Sequence, residues 1–165
     1  MKPFDIISSS PDAASLTRLL DLCFGPGRHA RTAERLREGN RAMADYDFCA
    51  QSADGTLLGS ISFWPIYIGQ SPALLLGPLA VHPEHQGVGI GEHLMQTALA
   101  AVDAKRFPIV LLVGDLPYYE RVGFAVAPPA VRLPGPVDPA RLLVKGGHAE
   151  CADLAGLVRP APELC

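Results

Sequence analysis

An apolar run over residues 74–81 stops at His82-Pro83, and a glycine-rich turn, Gln86-Gly87-Val88-Gly89-Ile90-Gly91, follows it. The periodicity then changes. Leu94, Met95, Ala98, Leu99 and Val102 recur at helical spacing, which predicts a helix over residues 91–105 with one buried face. Strand, glycine turn and helix in this order leave backbone N–H groups at the helix start without partners, aimed outward at an anion. No other segment constrains the chain as tightly.

The rest of the sequence supplies the elements such a unit needs. Residues 4–9 predict a first strand. Ser10-Pro11-Asp12 predicts a helix start, with Leu16, Leu19, Leu20 and Cys23 as its apolar stripe. A charged segment follows, and an exposed short helix is expected over residues 32–38. Residues 47–51 and 56–67 predict a hairpin around Ala53-Asp54-Gly55, with Pro65 expected to interrupt or bulge the second strand. Gly77-Pro78 inside the apolar run fits either a plain kink or a strand left unpaired for a ligand. Further strands are expected over 109–113, 140–145 and near 157–159, with a short helical turn over 118–122 and a rigid loop over 128–139. The last residues, 160–165, are expected to fray.

Composition narrows the classes. The chain has 165 residues, 48% hydrophobic and 19% charged, which suits one folded domain. A net charge of −3 without a basic run argues against nucleic acid and anionic membrane as partners. The four cysteines form no CxxC pair, so neither a disulfide framework nor a zinc site is expected. The first residues lack the apolar core of a signal peptide and no window matches a membrane span, which together give a cytoplasmic setting by elimination. His82, Glu84 and His85 do not place two ligands one helical turn apart, and no metal is expected there.

The glycine spacing discriminates among phosphate turns. A Walker loop needs Gly-Lys-Ser/Thr where this turn ends Gly91-Glu92-His93, and a dinucleotide turn needs glycine at the position of Glu92. What remains is Gln86-x-x-Gly89-x-Gly91. This resembles the acetyl-CoA motif of the GNAT superfamily of N-acetyltransferases, and Leu79-Ala80-Val81-His82-Pro83 resembles that family's strand leading into it. Downstream, Gly114-Asp115-Leu116-Pro117-Tyr118-Tyr119-Glu120-Arg121-Val122-Gly123-Phe124 is similar to the family's Tyr-x-x-x-Gly-Phe motif, in the form of a bacterial subgroup of predicted N-acetyltransferases.

The resemblance implies an α/β (α+β) fold: a mixed, mostly antiparallel twisted sheet with helices on both faces and a splayed central strand pair, residues 74–81 and 109–113. It implies acetyl-CoA as co-substrate and an amine acceptor attacked directly, with no covalent cysteine intermediate. Gln86, Gly87, Val88, Gly89, Ile90, Gly91 and Glu92 would meet the pyrophosphate, and Leu79, Ala80 and Val81 the pantetheine arm by main chain. Tyr119 would meet the departing sulfur, with Tyr118 packed beside it at the cofactor. A phenol (pKa ~10) giving its proton fully to a thiolate (~8.5) works uphill by roughly 2 kcal/mol, so hydrogen bonding counts for as much as protonation.

The base that takes the amine proton is open. Residues 74–81 contain no acid, and Asp115, Glu34, His82 or a water relay are candidates. Arg28, Arg31, Arg35 and Arg37 form either a solvated face or the mouth for an acceptor bearing a carboxylate. A non-catalytic acyl-CoA-binding sensor, transfer to oxygen or of a longer acyl chain, and a nucleotide-binding enzyme are the rival readings. A homodimer is one assembly left open.

Overall fold

The computed structural model describes residues 3–165, and the chain divides into two compact units. One comprises Met1–His29, Met43–Phe63 and Gly77–Val102, the other Ala30–Ala42, Trp64–Leu76 and Asp103–Cys165.

The first unit begins with strand β1 (Asp5–Ile7) and helix α1 (Ala13–Phe24). Asp12 starts α1 as foreseen, its carboxylate accepting the Ser15 N–H at 3.0 Å. Strand β2 (Phe48–Gln51) pairs antiparallel with β1 and with the first part of β3 (Leu57–Ile68). The turn between β2 and β3 is the expected one, closed by Ser52 N–H to Thr56 O and by Asp54 accepting from Thr56 N–H. The end of β4 (Ser71–Val81) joins β3 through a rung from His82 N–H to Leu58 O, 2.8 Å.

Helix α2 (Ile90–Ala101) covers this sheet with Ile90, Leu94, Met95 and Ala98, and a Cβ at Gly59 would meet Ile90 and Leu94 at 2.9 Å. Ala80 packs with Leu19 and Leu20 of α1. Counted from the Leu58–His82 rung, Ala80 and Gly59 lie on opposite faces, so α1 and α2 cover opposite sides. Helix α2 stops four residues before the expected end. Val102 turns extended, and Asp103 instead organises a turn by accepting from Lys105 and Phe107 N–H groups.

The second unit holds the rest of β3 and β4, then β5 (Ile109–Val113), α3 (Leu116–Tyr119), β6 (Ala125–Val126), β7 (Val131–Arg132), β8 (Leu142–Gly146), α4 (His148–Ala152) and β9 (Gly156–Pro160). Leu36, Ile66, Ile68, Leu75, Leu111 and Leu142 belong to its core cluster. Among the described residues the strand order is β1-β2-β3-β4-β5-β8-β6, with β9 on β3 and β7 on β9. The β4–β5 and β7–β9 ladders are parallel, while β1–β2, β2–β3, β3–β9, β5–β8 and β6–β8 are antiparallel. The sheet is therefore mixed and mostly antiparallel, as expected.

Several expectations change here. Pro65 neither breaks nor bulges β3. Its carbonyl accepts from Ala161 N–H at the last rung of the β3–β9 ladder, where a missing donor removes one hydrogen bond and no more. The irregularity lies instead at Ala50/Gln51. The segment expected as an exposed helix is a 3-10 turn, Thr32–Leu36. Thr32 Oγ1 and Arg35 Nη1 donate to the carbonyls of Pro136 and Pro134, and Leu36 is fully buried. The proline-rich loop carries β7, and α4 was not foreseen. The final residues do not fray: Pro162–Leu164 forms a 3-10 turn, Arg106 donates to Leu164 O, and Cys165 Sγ to Arg41 O.

Candidate active site

In the first unit, Gly87 (φ +81°) and Gly89 (φ +90°) are left-handed, a region that disfavours other residues. They turn the chain from the short 3-10 turn Pro83–His85 into α2. Gly89 is the N-cap and has no side chain to cap the helix. The first intrahelical bond runs from His93 N–H to Gly89 O. The N–H groups of Ile90, Gly91 and Glu92 precede it and have no acceptor within the helix. A Cβ on Gly87 would meet nothing within 4 Å. Val88 is 55% exposed beside it. Uncapped donors, the positive end of a three-turn helix and open space at Gly87 suit a diphosphate. Glu92 does not oppose one, because its carboxylate accepts from Gln96 Nε2 one turn along the helix.

The Gln86 side chain has a role of its own, beside the backbone contact expected of this turn. Its Nε2 donates back to Val81 O at 3.2 Å, where Cys23 Sγ also donates. It thus ties the turn to the end of β4. His93, not singled out in the sequence, has a comparable role: its Nδ1 lies 2.8 Å from Gly89 O, and its ring meets Phe4 edge-on at 5.6 Å.

Within β4, backbone groups alternate between its two edges. His82 N–H faces β3, so Ala80 faces β3 as well, and the backbone groups of Leu79 and Val81 face the other edge. Val81 O is already occupied, which leaves Leu79 with both groups and Val81 with its N–H. The β4–β5 ladder, in the second unit, comprises Leu74↔Val110 and Leu75↔Leu111 and ends there. Gly77-Pro78, with a cis peptide bond, follows two residues later, and Pro78 has no N–H to offer a ladder.

Tyr119 sits in the second unit, at the end of α3. It meets Tyr118 edge-on at 4.9 Å and Phe124 at 5.9 Å, and its ring lies against Gly114. Burial pushes its phenol up to about 12. Tyr118 packs on Tyr119 and carries the Arg121 guanidinium over its ring at 5.0 Å.

The acids and arginines weighed in the sequence mostly have partners. Asp115 is exposed and pairs with Arg141 at 3.2 Å. Glu34 pairs with Arg37, and Arg28 with Asp21 at 2.8 Å. With Arg35 held by Pro134 O, these arginines are not a simple solvated face. His82, Glu84 and His85 bring one ligand atom each within 4.8 Å of one another. However, His82 Nδ1 accepts from Glu84 N–H at 3.3 Å, so a neutral His82 keeps its proton on the other nitrogen. No helix among the described residues is long and apolar enough to cross a membrane.

An open mixed sheet with a glycine turn and a bare helix start after its central strand defines an acyl-CoA-type transferase fold. The chain belongs to the acetyltransferase (GNAT) family, whose model matches residues 13–124. It is 27% identical to the uncharacterized N-acetyltransferase YjhQ of Escherichia coli K12, over 89% of this chain and 91% of that one. Among solved structures it is similar to the GNAT family N-acetyltransferase YhbS of Escherichia coli in complex with CoA, with a TM-score of 0.74 and 21% identity over 98% and 91% of the two chains. A GNAT family acetyltransferase from Brucella melitensis in complex with acetyl-CoA gives a TM-score of 0.60 with 29% identity, over 90% and 98%.

Proposed function

We propose that the chain transfers the acetyl group of acetyl-CoA to the amine of a small molecule or peptide by direct attack. The observation that carries this reading is the uncapped start of α2 behind two left-handed glycines, in a chain of this family. The N–H groups of Ile90, Gly91 and Glu92 bind the diphosphate, helped by the helix dipole. Leu79 hydrogen-bonds the pantetheine arm by both backbone groups and Val81 by its N–H, as a peptide adds to a sheet edge.

Bound acetyl-CoA supplies a thioester whose carbonyl carbon the amine attacks. Tyr119 then holds the developing thiolate by donating a hydrogen bond. With its phenol at about 12 against a thiol's ~8.5, complete proton transfer would be uphill by about 5 kcal/mol. Tyr119 therefore stabilises the sulfur without giving up its proton.

The absence of a carboxylate on β4 favours one other reading, an acyl-CoA sensor without turnover. Calorimetric titration with acetyl-CoA, followed by thiol release against an amine panel, separates the two. Binding together with amine-dependent thiol release, diminished by Tyr119→Phe, is the expected result. Binding without turnover on any amine, and no effect of Tyr119→Phe, leaves the sensor. Binding of ATP or NAD in place of acetyl-CoA overturns both.

A further inference from the structure

In the second unit, strand β8 lies between β5 and β6, so the chain leaving β5 must cross over β8 to reach Ala125. The crossing consists of α3 and the 3-10 turn Glu120–Val122, and it carries Tyr119. Register fixes what lies beneath it. Val110↔Lys145 and Leu112↔Leu143 are opposite pairs, and the bond from Gly114 N–H to Arg141 O continues the ladder by one step. Opposite residues share a face. A Cβ on Gly114 would meet both Leu112 and the Tyr119 ring. Arg141, Leu143 and Lys145, at every second residue, therefore line the face of β8 under the crossing.

The two cations stand at its two ends. At the start, Arg141 Nε pairs with Asp115 Oδ1 at 3.2 Å. Asp115 O in turn accepts the N–H groups of Tyr118 and Tyr119 at 3.1 and 3.2 Å. At the end, Lys145 Nζ donates to Val122 O at 2.8 Å. A Cβ on Gly123 would sit 2.7 Å from that Nζ, so the bare backbone of Gly123 gives the ammonium its passage. Leu143, fully buried, stands between the two cations on the strand.

The two grips differ in strength. Arg141 and Asp115 are both exposed, so water and salt screen their pair. Lys145 is half-buried, and a charged donor makes a hydrogen bond roughly twice as strong as a neutral one. Burial is the main cause of the raised Tyr119 phenol. Tyr118 and Asp115 add to it and Arg141 opposes it, so the ion pair lies within electrostatic reach of the ring.

We propose that Arg141 and Lys145 are positioning residues for Tyr119, holding the segment that carries it at both ends and so fixing where its hydroxyl points. The purpose of this clamp rests on the acetyltransferase reading, in which that hydroxyl meets the departing sulfur. Neither cation touches the reacting atoms. Lys145 supplies the larger share of the hold and Arg141 the smaller.

A double-mutant cycle on the full chain tests this. Lys145→Met and Arg141→Gln are each made in the wild type and in Tyr119→Phe, and thiol release is followed with an amine that the wild type acetylates. Lys145→Met should lower kcat about ten-fold, as expected of a displaced catalytic group, and Arg141→Gln about three-fold. Acetyl-CoA affinity should stay within about two-fold in both. In Tyr119→Phe both losses should vanish, because no phenol is left to position. Lys145→Arg keeps a charged donor and should recover most of kcat. Losses that persist in full in Tyr119→Phe, or an undiminished kcat in Lys145→Met, overturn the proposal. If Lys145→Met fails to fold, Arg141→Gln carries the same cycle. A readout without turnover is phenol ionisation in a rapid jump to pH 11, taken as the difference from the matching Tyr119→Phe protein. The wild-type phenol, at about 12, stays mostly protonated, whereas in Lys145→Met the loosened segment brings it toward ~10 and more of it ionises. Equal ionisation in the two proteins overturns the clamp. A wild type that binds acetyl-CoA and acetylates no amine overturns the acetyltransferase reading, and a phenol that still shifts in Lys145→Met shows that the clamp on Tyr119 stands without it.

Discussion

The ring of Tyr119 lies so close over Gly114 that a Cβ there would sit 2.4 Å from Cε2. Gly114 is buried at the end of β5, its N–H bonded to Arg141 O, so the backbone has little room to yield. Gly114→Ala must therefore push the Tyr119 ring aside. The expected outcome is a kcat drop approaching that of Tyr119→Phe, on the order of 10²-fold as for loss of one donor to a developing charge. Acetyl-CoA affinity should stay within a few-fold in both. Steady-state kinetics of the two variants check this, and a Gly114→Ala protein with normal kcat would remove Tyr119 from the chemistry.

The raised phenol of Tyr119 has a stability signature. Its value is about 12 when folded, against ~10 in an unfolded chain. The folded chain holds this proton more tightly, so the contribution is fully present below about pH 10 and is lost as pH rises to about 12, by up to about 3 kcal/mol. Urea unfolding at pH 8, 9, 10 and 11 should show stability falling more steeply above pH 10 in the wild type than in Tyr119→Phe. Parallel slopes would mean that the phenol is not buried as described.

What the sequence showed depended on whether a signal was local. The α2 turn was legible because left-handed backbone demands glycine, and strand β5 because a short apolar run between punctuating residues fits a buried strand. The start of α1 was legible from Asp12, whose capping bond spans three residues. The 3-10 turn at Leu36 was misread as exposed, because its partners, Pro134 and Pro136, lie about a hundred residues away. Pro65 was misread for the same reason. Whether a missing N–H matters depends on β9, which the chain supplies only at its far end. In the candidate site, Tyr119 and the glycines carried motif signals.

Leu36 offers a direct check on the corrected segment. It is fully buried in the core cluster of the second unit, whereas an exposed helix would leave it on the surface. Leu36→Ala should destabilise the chain by about 2–5 kcal/mol, the range for emptying a packed leucine site. A surface leucine would change stability by about 0.5 kcal/mol or less. Chemical denaturation distinguishes the two values easily.

Gly87→Ala tests the anion turn with little interference from packing. At φ +81° an alanine is strained by about 1–2 kcal/mol, yet its methyl would meet nothing within 4 Å. The fold should therefore survive with a modest loss of stability. The methyl instead projects into the open space beside the bare N–H groups of α2, where a diphosphate would lie. Acetyl-CoA affinity should fall at least ten-fold, equivalent to about 1.4 kcal/mol. Val88→Ala, which trims an exposed side chain in the same turn, should leave affinity within about three-fold. Calorimetry on both variants gives the comparison. If Gly87→Ala binds acetyl-CoA as tightly as the wild type while showing the expected strain in its unfolding curve, the diphosphate does not lie on this turn.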